Sequence, residues 1–132
     1  MSCNHDFNDG NGPVPAHQHA NGGGWVADTA KVDASAYVGP DAKVYGNAQV
    51  YIKAKVYGKA RVHGYAWLSG FAQVYDNAEV YGDAGVYGHA EICGNAKICE
   101  DVRVFDKAKV RNVCISGDTR IFGYAIINDT SM

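Results

Sequence analysis

The sequence predicts an all-β protein whose chain winds into a triangular solenoid of short parallel strands. An aliphatic residue recurs every six positions, and a small residue, nearly always alanine, lies four positions after it. This spacing is a multiple of the strand period of about two and does not fit the helical period of about 3.6. The composition agrees, because a chain with 16 glycines and a single leucine, Leu68, is poorly suited to helices.

The aliphatic repeat extends over most of the chain. It runs without interruption to Val110, loses one residue, and resumes at Ile115, so each hexad is expected to form a short strand followed by a bend. The aliphatic positions are Val26, Val32, Val38, Val44, Val50, Val56, Val62, Leu68, Val74, Val80, Val86, Ile92, Ile98, Val104, Val110, Ile115, Ile121 and Ile127.

Two further rows accompany the aliphatic row. Glycine or another turn former lies two positions after the aliphatic residue, where the bend requires unusual torsions. The small row comprises Ala30, Ala36, Ala42, Ala48, Ala54, Ala60, Ala66, Ala72, Ala78, Ala84, Ala90, Ala96, Val102, Ala108, Cys114, Thr119 and Ala125. The turn row comprises Asp28, Pro40, Gly46, Gly58, Gly64, Gly70, Asp76, Gly82, Gly88, Gly94, Asp106, Asn112, Gly117, Gly123 and Asp129.

Three hexads are expected to close one triangular coil. Equivalent residues of successive coils then stack at the strand spacing of about 4.8 Å and pair as parallel strands. About six such coils make a prism roughly 30 Å long. The aliphatic residues point inward from the sides, the small residues fill the corners, and no helical domain is expected.

The best-kept repeats read Val44-Tyr-Gly-Asn-Ala-Gln and Val80-Tyr-Gly-Asp-Ala-Gly. Over residues 26 to about 130, this pattern resembles the hexapeptide-repeat proteins, and in particular a subgroup seen in phage and bacterial proteins of unassigned function. The resemblance implies a left-handed parallel β-helix. It also implies a homotrimer, which is common in that family.

Two regions are predicted from where the repeat begins. Residues 25–132 form the β-helix, and residues 1–24 form an irregular, turn-rich arm whose few apolar residues include Phe7 and Val14. The arm either covers the first coil as a cap or docks on a neighbouring chain. At the other end, the last coil is expected to be nearly uncovered, which makes it a candidate stacking surface.

The charge balance excludes several partners. The chain has 12 basic and 14 acidic residues, so no charge excess favours nucleic acid or an anionic membrane. No apolar run approaches a membrane span of about 20 residues, and the first residues lack the apolar stretch of a secretory signal. We expect a soluble chain that is made in the cytoplasm.

The four cysteines do not form paired metal-binding motifs. Reduced thiols are the expected state, and disulfides between chains are the alternative in a secreted or virion setting, since Cys93 and Cys99 are predicted to point outward. The cysteines are Cys3, Cys93, Cys99 and Cys114.

Enzymes of the hexapeptide-repeat family are acyltransferases or a zinc carbonic anhydrase, and the resemblance raises both activities. His63, predicted to lie between Tyr45 and Tyr81, and His89 in a bend are the candidate general bases. The repeat contains no insertion that would build a pocket wall, so we expect no catalytic residue.

A metal site has one candidate set of ligands. His5, His17 and His19 would have to meet on a trimer axis to hold a metal ion, whereas a catalytic zinc needs three well-placed protein ligands. We expect His17 and His19 to form a flexible, hydrated pair, and therefore expect neither a metal ion nor another cofactor.

One side of the predicted prism carries an unusual number of aromatic residues. Stacking by one coil brings them together with two arginines, which are enriched at protein contacts. Tyrosine ladders also suit the outer face of any parallel sheet, and we accept this explanation for Tyr57 over Tyr75. The predicted interface residues are Trp67, Phe71, Tyr87, Phe105, Phe122, Arg103 and Arg120.

The expected function is therefore structural. The sequence predicts a rigid, trimeric module for protein–protein contacts through its aromatic side and its N-terminal arm. The resemblance favours a component of a phage virion. A hexapeptide-repeat acyltransferase of unknown substrate is the alternative.

Overall fold

The computed structural model describes residues 3–128 and confirms a parallel β-solenoid of about six turns. No helix occurs among these residues, and hence none that could cross a membrane. The strands are β1 (Cys3–Asp6), β2 (Pro13–Gln18), β3 (Trp25–Ala27), β4 (Lys31–Val32), β5 (Tyr37–Val38), β6 (Lys43–Val44), β7 (Gln49–Val50), β8 (Lys55–Val56), β9 (Arg61–Val62), β10 (Trp67–Leu68), β11 (Gln73–Val74), β12 (Glu79–Val80), β13 (Gly85–Val86), β14 (Glu91–Cys93), β15 (Lys97–Ile98), β16 (Arg103–Val104), β17 (Lys109–Arg111), β18 (Cys114–Ile115), β19 (Arg120–Ile121) and β20 (Ile126–Asn128).

Three sheets form the sides of the prism, and every third strand belongs to the same side. Sheet A has the order β1-β2-β3-β6-β9-β12-β15-β18, sheet B β4-β7-β10-β13-β16-β19, and sheet C β5-β8-β11-β14-β17-β20. Val44 pairs with Val62 and Val62 with Val80, so the predicted stacking by three hexads is confirmed. The buried aliphatic and alanine rows form one continuous core.

The missing residue shifts one predicted core position. Lys97 pairs with Cys114 and Ile98 with Ile115. Val113, which accepts a hydrogen bond from the Lys97 N–H at 2.9 Å, therefore occupies the corner position. The assignment of Cys114 to the small row was wrong, because the bend before β18 is the part that is shortened and Cys114 is exposed.

The N-terminal arm is a β-hairpin, although the sequence predicted an irregular segment. Strands β1 and β2 pair antiparallel, and β2 pairs antiparallel with β3 of the first coil. The segment after the hairpin also bonds to β5, because Val38 donates to the carbonyl of Asn21 at 3.1 Å and Gly24 donates to that of Val38 at 2.9 Å. The arm thus covers the edges of sheets A and C at the first coil.

The hairpin is fixed by rings as well as by backbone bonds. Phe7 is buried and stacks on Tyr45 with 4.8 Å between ring centroids. His5 stacks on Trp25 at 4.4 Å. The opposite end of the solenoid has no such cover within the described residues, because β18, β19 and β20 are the last strands of their sheets and Ile126 is 72% exposed.

The bends use a left-handed backbone at the predicted turn position. Gly46, Gly64 and Gly82 have φ between 65° and 68°, and the added Cβ of Gly46 would lie 2.9 Å from the backbone of Gly64. Ile52 occupies the same position with φ 64°, which is costly for a β-branched residue. Its N–H donates to the Asp33 carboxylate at 2.7 Å, which helps to hold this bend.

We predict that Ile52→Gly stabilises the protein by about 1 kcal/mol, because glycine removes the strain of a left-handed β-branched residue. Ile52 is half exposed, so little buried apolar area is lost. Urea unfolding followed by circular dichroism measures the change. Ile52→Val, which keeps the β-branch, serves as the control and should show no gain; a glycine variant less stable than wild type would contradict the explanation.

Candidate protein–protein interface

The exposed large hydrophobic residues concentrate on one side of the prism. We call this side the aromatic face. It is the outer surface of sheet B together with the corners on either side, and most large apolar residues that are at least half exposed lie there. Its aromatic residues are Tyr65, Trp67, Phe71, Tyr87, Phe105, Phe122 and Tyr124, of which Tyr65, Phe71, Phe122 and Tyr124 are 50–79% exposed.

Four rings form a column along sheet B. Trp67 stacks on Tyr87 with 5.1 Å between centroids, Tyr87 on Phe105 at 5.0 Å, and Phe105 on Phe122 at 5.5 Å. The interplanar angles are 17° or less, so the rings rise through successive coils as one continuous surface. Stacked rings of this kind are stiff, and stiffness lowers the entropy lost on binding.

Trp67 depends on the absence of a side chain at Gly85. The two residues are paired in register on neighbouring strands, and a Cβ on Gly85 would lie 2.4 Å from the indole. Arg103, in register one coil further on, places its guanidinium carbon 5.4 Å from the indole centroid. Its Nη1 donates to the carbonyl of Asp83 at 2.7 Å, which fixes the side chain over the ring.

A second column lies at the corner that follows sheet B. Phe71 stacks on His89 at 5.0 Å, as the sequence predicted. Above them, the Lys107 ammonium lies 5.5 Å from the centroid of the Tyr124 ring. The corner therefore presents exposed rings together with lysine side chains.

The two edges of the aromatic face differ in charge. The corner that precedes sheet B carries the exposed carboxylates of Asp83, Asp101 and Asp118, which we call the acidic edge. The corner that follows sheet B carries exposed Lys53, His89 and Lys107, which we call the basic edge; its two carboxylates, Asp33 and Asp106, accept N–H bonds from Ile52 and Gly123. Asp83 and His89 belong to one coil, and Asp101 and Lys107 belong to the next. The side chains of the two edges therefore lie at the same levels along the solenoid axis. Neither Asp101 nor Lys107 forms an ion pair within residues 3–128.

The rings on the outer face of sheet A have stacking and hydrogen-bond partners on the same face. Tyr45, His63 and Tyr81 stack at 4.6 and 5.1 Å, so His63 lies between the two tyrosines as predicted. His63 Nε2 lies 2.5 Å from the Glu79 carboxylate, and its side chain is 22% exposed. The other candidate base, His89, lines an open cavity of about 340 Å³ together with Lys107 and Tyr124.

The outer face of sheet C is likewise internally bonded. Tyr57 and Tyr75 stack at 5.0 Å, and their hydroxyl groups donate to Gln73 at 2.8 Å and to Glu91 at 2.9 Å. Burial is the main reason that the pKa of Tyr75 is raised. The predicted explanation for these tyrosines, an ordinary ladder on a parallel sheet, fits these contacts.

The three N-terminal histidines have separate partners. His17 Nδ1 lies 2.8 Å from the Asp28 carboxylate, His19 Nε2 lies 2.8 Å from the carbonyl of Ala36, and His5 stacks on Trp25. His19 is buried, which differs from the predicted hydrated pair. Within the part of the chain that the structure describes, no three histidine, cysteine or acidic side chains are grouped as metal ligands.

The cysteines also differ in accessibility. Cys93 lies on the outer side of sheet C beside Tyr75, as predicted, but it is only 6% exposed and is therefore poorly accessible to oxidation between chains. Cys99 is half-buried and Cys114 is exposed. Cys3 lies at the margin of the described residues, and its side chain is outside them.

The comparisons with known proteins agree with the fold. A family model described as the YdcK Beta solenoid repeat matches residues 72–88, which is about one coil. Neither the curated proteins nor the solved structures gave a match. The repeat match and the three parallel sheets together support a β-solenoid repeat protein.

The sequence did not single out three exposed residues of the aromatic face. Ile52 lies two positions after a core aliphatic residue, and Tyr65 and Tyr124 lie three positions after one. A coil-by-coil list of the residues two and three positions after each aliphatic residue would have revealed these three residues. The same list would have revealed the acidic and basic edges. The predicted interface residues are all on this side of the prism, and their role as an interface stays a prediction.

We predict that Gly85→Ala displaces the Trp67 indole from its stack, because the added methyl group and the indole cannot share the same space. Tryptophan fluorescence should shift to longer wavelength as the indole becomes more exposed. Trp25 contributes an unchanged background. Ser69→Ala on the same side adds no atoms and should leave the spectrum as in wild type; an unshifted spectrum in the Gly85 variant would contradict the packing described.

We predict a loss of stability at alkaline pH that depends on Tyr81. Contact with the Cys99 thiol, followed by burial, raises the pKa of Tyr81 to about 12. A raised pKa means that the folded state favours the protonated hydroxyl group. The stability that this preference contributes is fully present below pH about 10 and is lost as the pH rises toward 12. Thermal midpoints measured from pH 9 to 12 should fall less steeply in Tyr81→Phe. Tyr124→Phe, on an exposed ring, is the control, and equal slopes for Tyr81→Phe and wild type would count against this assignment.

Proposed function

We propose that the protein is a non-enzymatic assembly module that binds other protein surfaces through its aromatic face. The observation that carries this proposal is the contrast among the three sides. The rings on the outer faces of sheets A and C are buried or half-buried, whereas the two corners beside sheet B and its last coil expose Tyr65, Phe71, Phe122 and Tyr124 to solvent. Contiguous exposed apolar surface with arginine at its border is typical of protein contacts.

We further propose that the first partner is a second and a third copy of the chain, arranged with parallel solenoid axes. In a three-fold ring with the aromatic faces turned inward, the acidic edge of each copy meets the basic edge of the next. Tyr65 then meets Phe71, and Asp101 meets Lys107, at equal heights. The enclosed space is triangular, like the core of the solenoid, and side chains of the size of Tyr87 and Phe105 can fill it.

The charges also select the direction of the axes. If one copy were inverted, its acidic edge would lie against the acidic edge of its neighbour, with Asp83 and Asp101 opposed to each other. Juxtaposed like charges disfavour such a contact. A parallel two-fold dimer would preserve the same pairs of edges, so a mass measurement decides between dimer and trimer.

The biological setting is proposed only from the resemblance of the repeat to those of known proteins. Because similar repeats occur in phage and bacterial proteins, we propose a virion or a bacterial assembly as the place where such a trimer acts. The acyltransferase alternative has less support, because the rings of Tyr45 and Tyr81 cover both faces of His63, and His89, the other candidate base, stacks on Phe71 within the proposed interface.

We predict that the chain sediments at three times its monomer mass at tens of micromolar concentration. Asp101→Lys should weaken association at least about tenfold, because a lysine then faces Lys107 of the neighbouring copy. Lys107→Asp should weaken it similarly, and the double variant Asp101→Lys/Lys107→Asp should restore it. Sedimentation equilibrium at low salt measures all four proteins.

Lys55→Asp changes the charge by the same amount on the outer face of sheet C and should leave the mass unchanged. A monomer at these concentrations would overturn the proposed self-association. Failure of the double variant to recover would show that the edges are paired differently.

A further inference from the structure

A basic groove runs along the corner between sheets C and A, on the first three coils. Its volume is about 640 Å³, within the range of about 300–1,000 Å³ for small-ligand sites. Three cationic side chains and one carboxylate line it, so it carries an excess of positive charge. The lining residues are Trp25, Pro40, Asp41, Ala42, Lys43, Lys59, Arg61 and Asn77.

Two of the cations in this groove lie directly opposite each other on neighbouring strands. Lys43 and Arg61 are paired in register on neighbouring strands, and Lys59 lies two residues before Arg61. Like charges directly opposite on a sheet are destabilising. No ion pair within residues 3–128 engages Lys43, Lys59 or Arg61. The nearest carboxylate along the sheet, Glu79, pairs instead with His63.

The Trp25 wall of the groove and the rings beside Arg61 are held by stacking. The positive charge of Arg61 opposes the rise in the pKa of Tyr45 that burial causes. Tyr45 is itself held between Phe7 and His63. At the lower end, the Trp25 ring is fixed by its stack on His5. A site with fixed walls loses less entropy when a ligand binds.

We propose that this groove binds a small polyanion that carries two or more phosphate or sulfate groups. Arg61 offers the planar fork of donors that suits such oxyanions, and the two lysines supply point charges on either side. The bound anion would neutralise the opposed charges of Lys43 and Arg61. The rings of Trp25 and Pro40 would take the apolar side of a sugar ring if the anionic groups are carried on a saccharide.

This site is independent of the proposed assembly function. The corner between sheets C and A lies opposite sheet B in the triangle, so it stays exposed when the aromatic face is covered. A trimer would present three such grooves outward. The groove is formed by one chain, and binding is therefore expected in the variants that fail to assemble.

Isothermal titration calorimetry on the full chain at low salt tests the proposal with two probes. Pyrophosphate represents a free phosphate source, and a fully sulfated disaccharide represents a saccharide source. Saturable binding of either probe supports the site, and the tighter probe identifies the source. Binding should weaken at least about tenfold in 0.3 M salt, since screening reduces attraction between exposed charges.

Lys59→Gln/Arg61→Gln should weaken binding at least about tenfold, because it removes two of the three cations. Its thermal midpoint should not fall below that of wild type, which separates lost binding from lost folding. Lys55→Gln/Lys109→Gln removes the same charge from the outer face of sheet C and should change the affinity less than about twofold. The absence of saturable binding for both probes, or equal affinity in the groove variant and wild type, would overturn the proposal.

Discussion

The hydrogen bonds between successive coils set the position of every other part of this structure. An N–H of one coil donates to a carbonyl of the next coil, as Lys43 does to Ala60 at 3.1 Å and Tyr45 to Val62 at 3.0 Å. This ladder fixes each residue below its counterpart one coil further on. The side and height of a side chain therefore follow from its place in the hexad. Because the interior repeats without change, the core admits only the aliphatic and small residues found there.

Because of this ladder, the outward side chains also stack in columns. The columns differ in how many of their side chains have packing or hydrogen-bond partners. On sheet A, the column of Tyr45, His63 and Tyr81 is closed by Phe7 of the hairpin and by the hydrogen bond between His63 and the Glu79 carboxylate. The column on sheet B has no such closure among the described residues and ends in Phe122, which is 57% exposed. Three sides built on one backbone plan thus carry distinct surfaces, and only their outward residues distinguish a binding side from a structural one.

Much of this arrangement could be predicted from the hexad period, because stacking by three hexads needs no knowledge of distant contacts. The stacks of Phe71 on His89 and of Tyr57 on Tyr75 were predicted in this way. The period could not place the missing residue within the bend before β18, since Val113 and Cys114 both fit a corner by size. The hairpin was also missed. Pro13 and Pro15 read as breakers of a strand, yet the carbonyl of Pro15 accepts a bond from the Asp28 N–H at 2.9 Å.

The sequence by itself determined the solenoid, its three sides and the rings that share a column, because each of these depends on the spacing along the chain. Only the tertiary structure decided how side chains reach beyond their own row. Arg103 extends over Trp67 because Gly85 leaves space between them, and the hairpin closes the first coil because Phe7 finds the ring of Tyr45. Such contacts depend on the space that neighbouring side chains leave, and a repeat pattern does not contain that information.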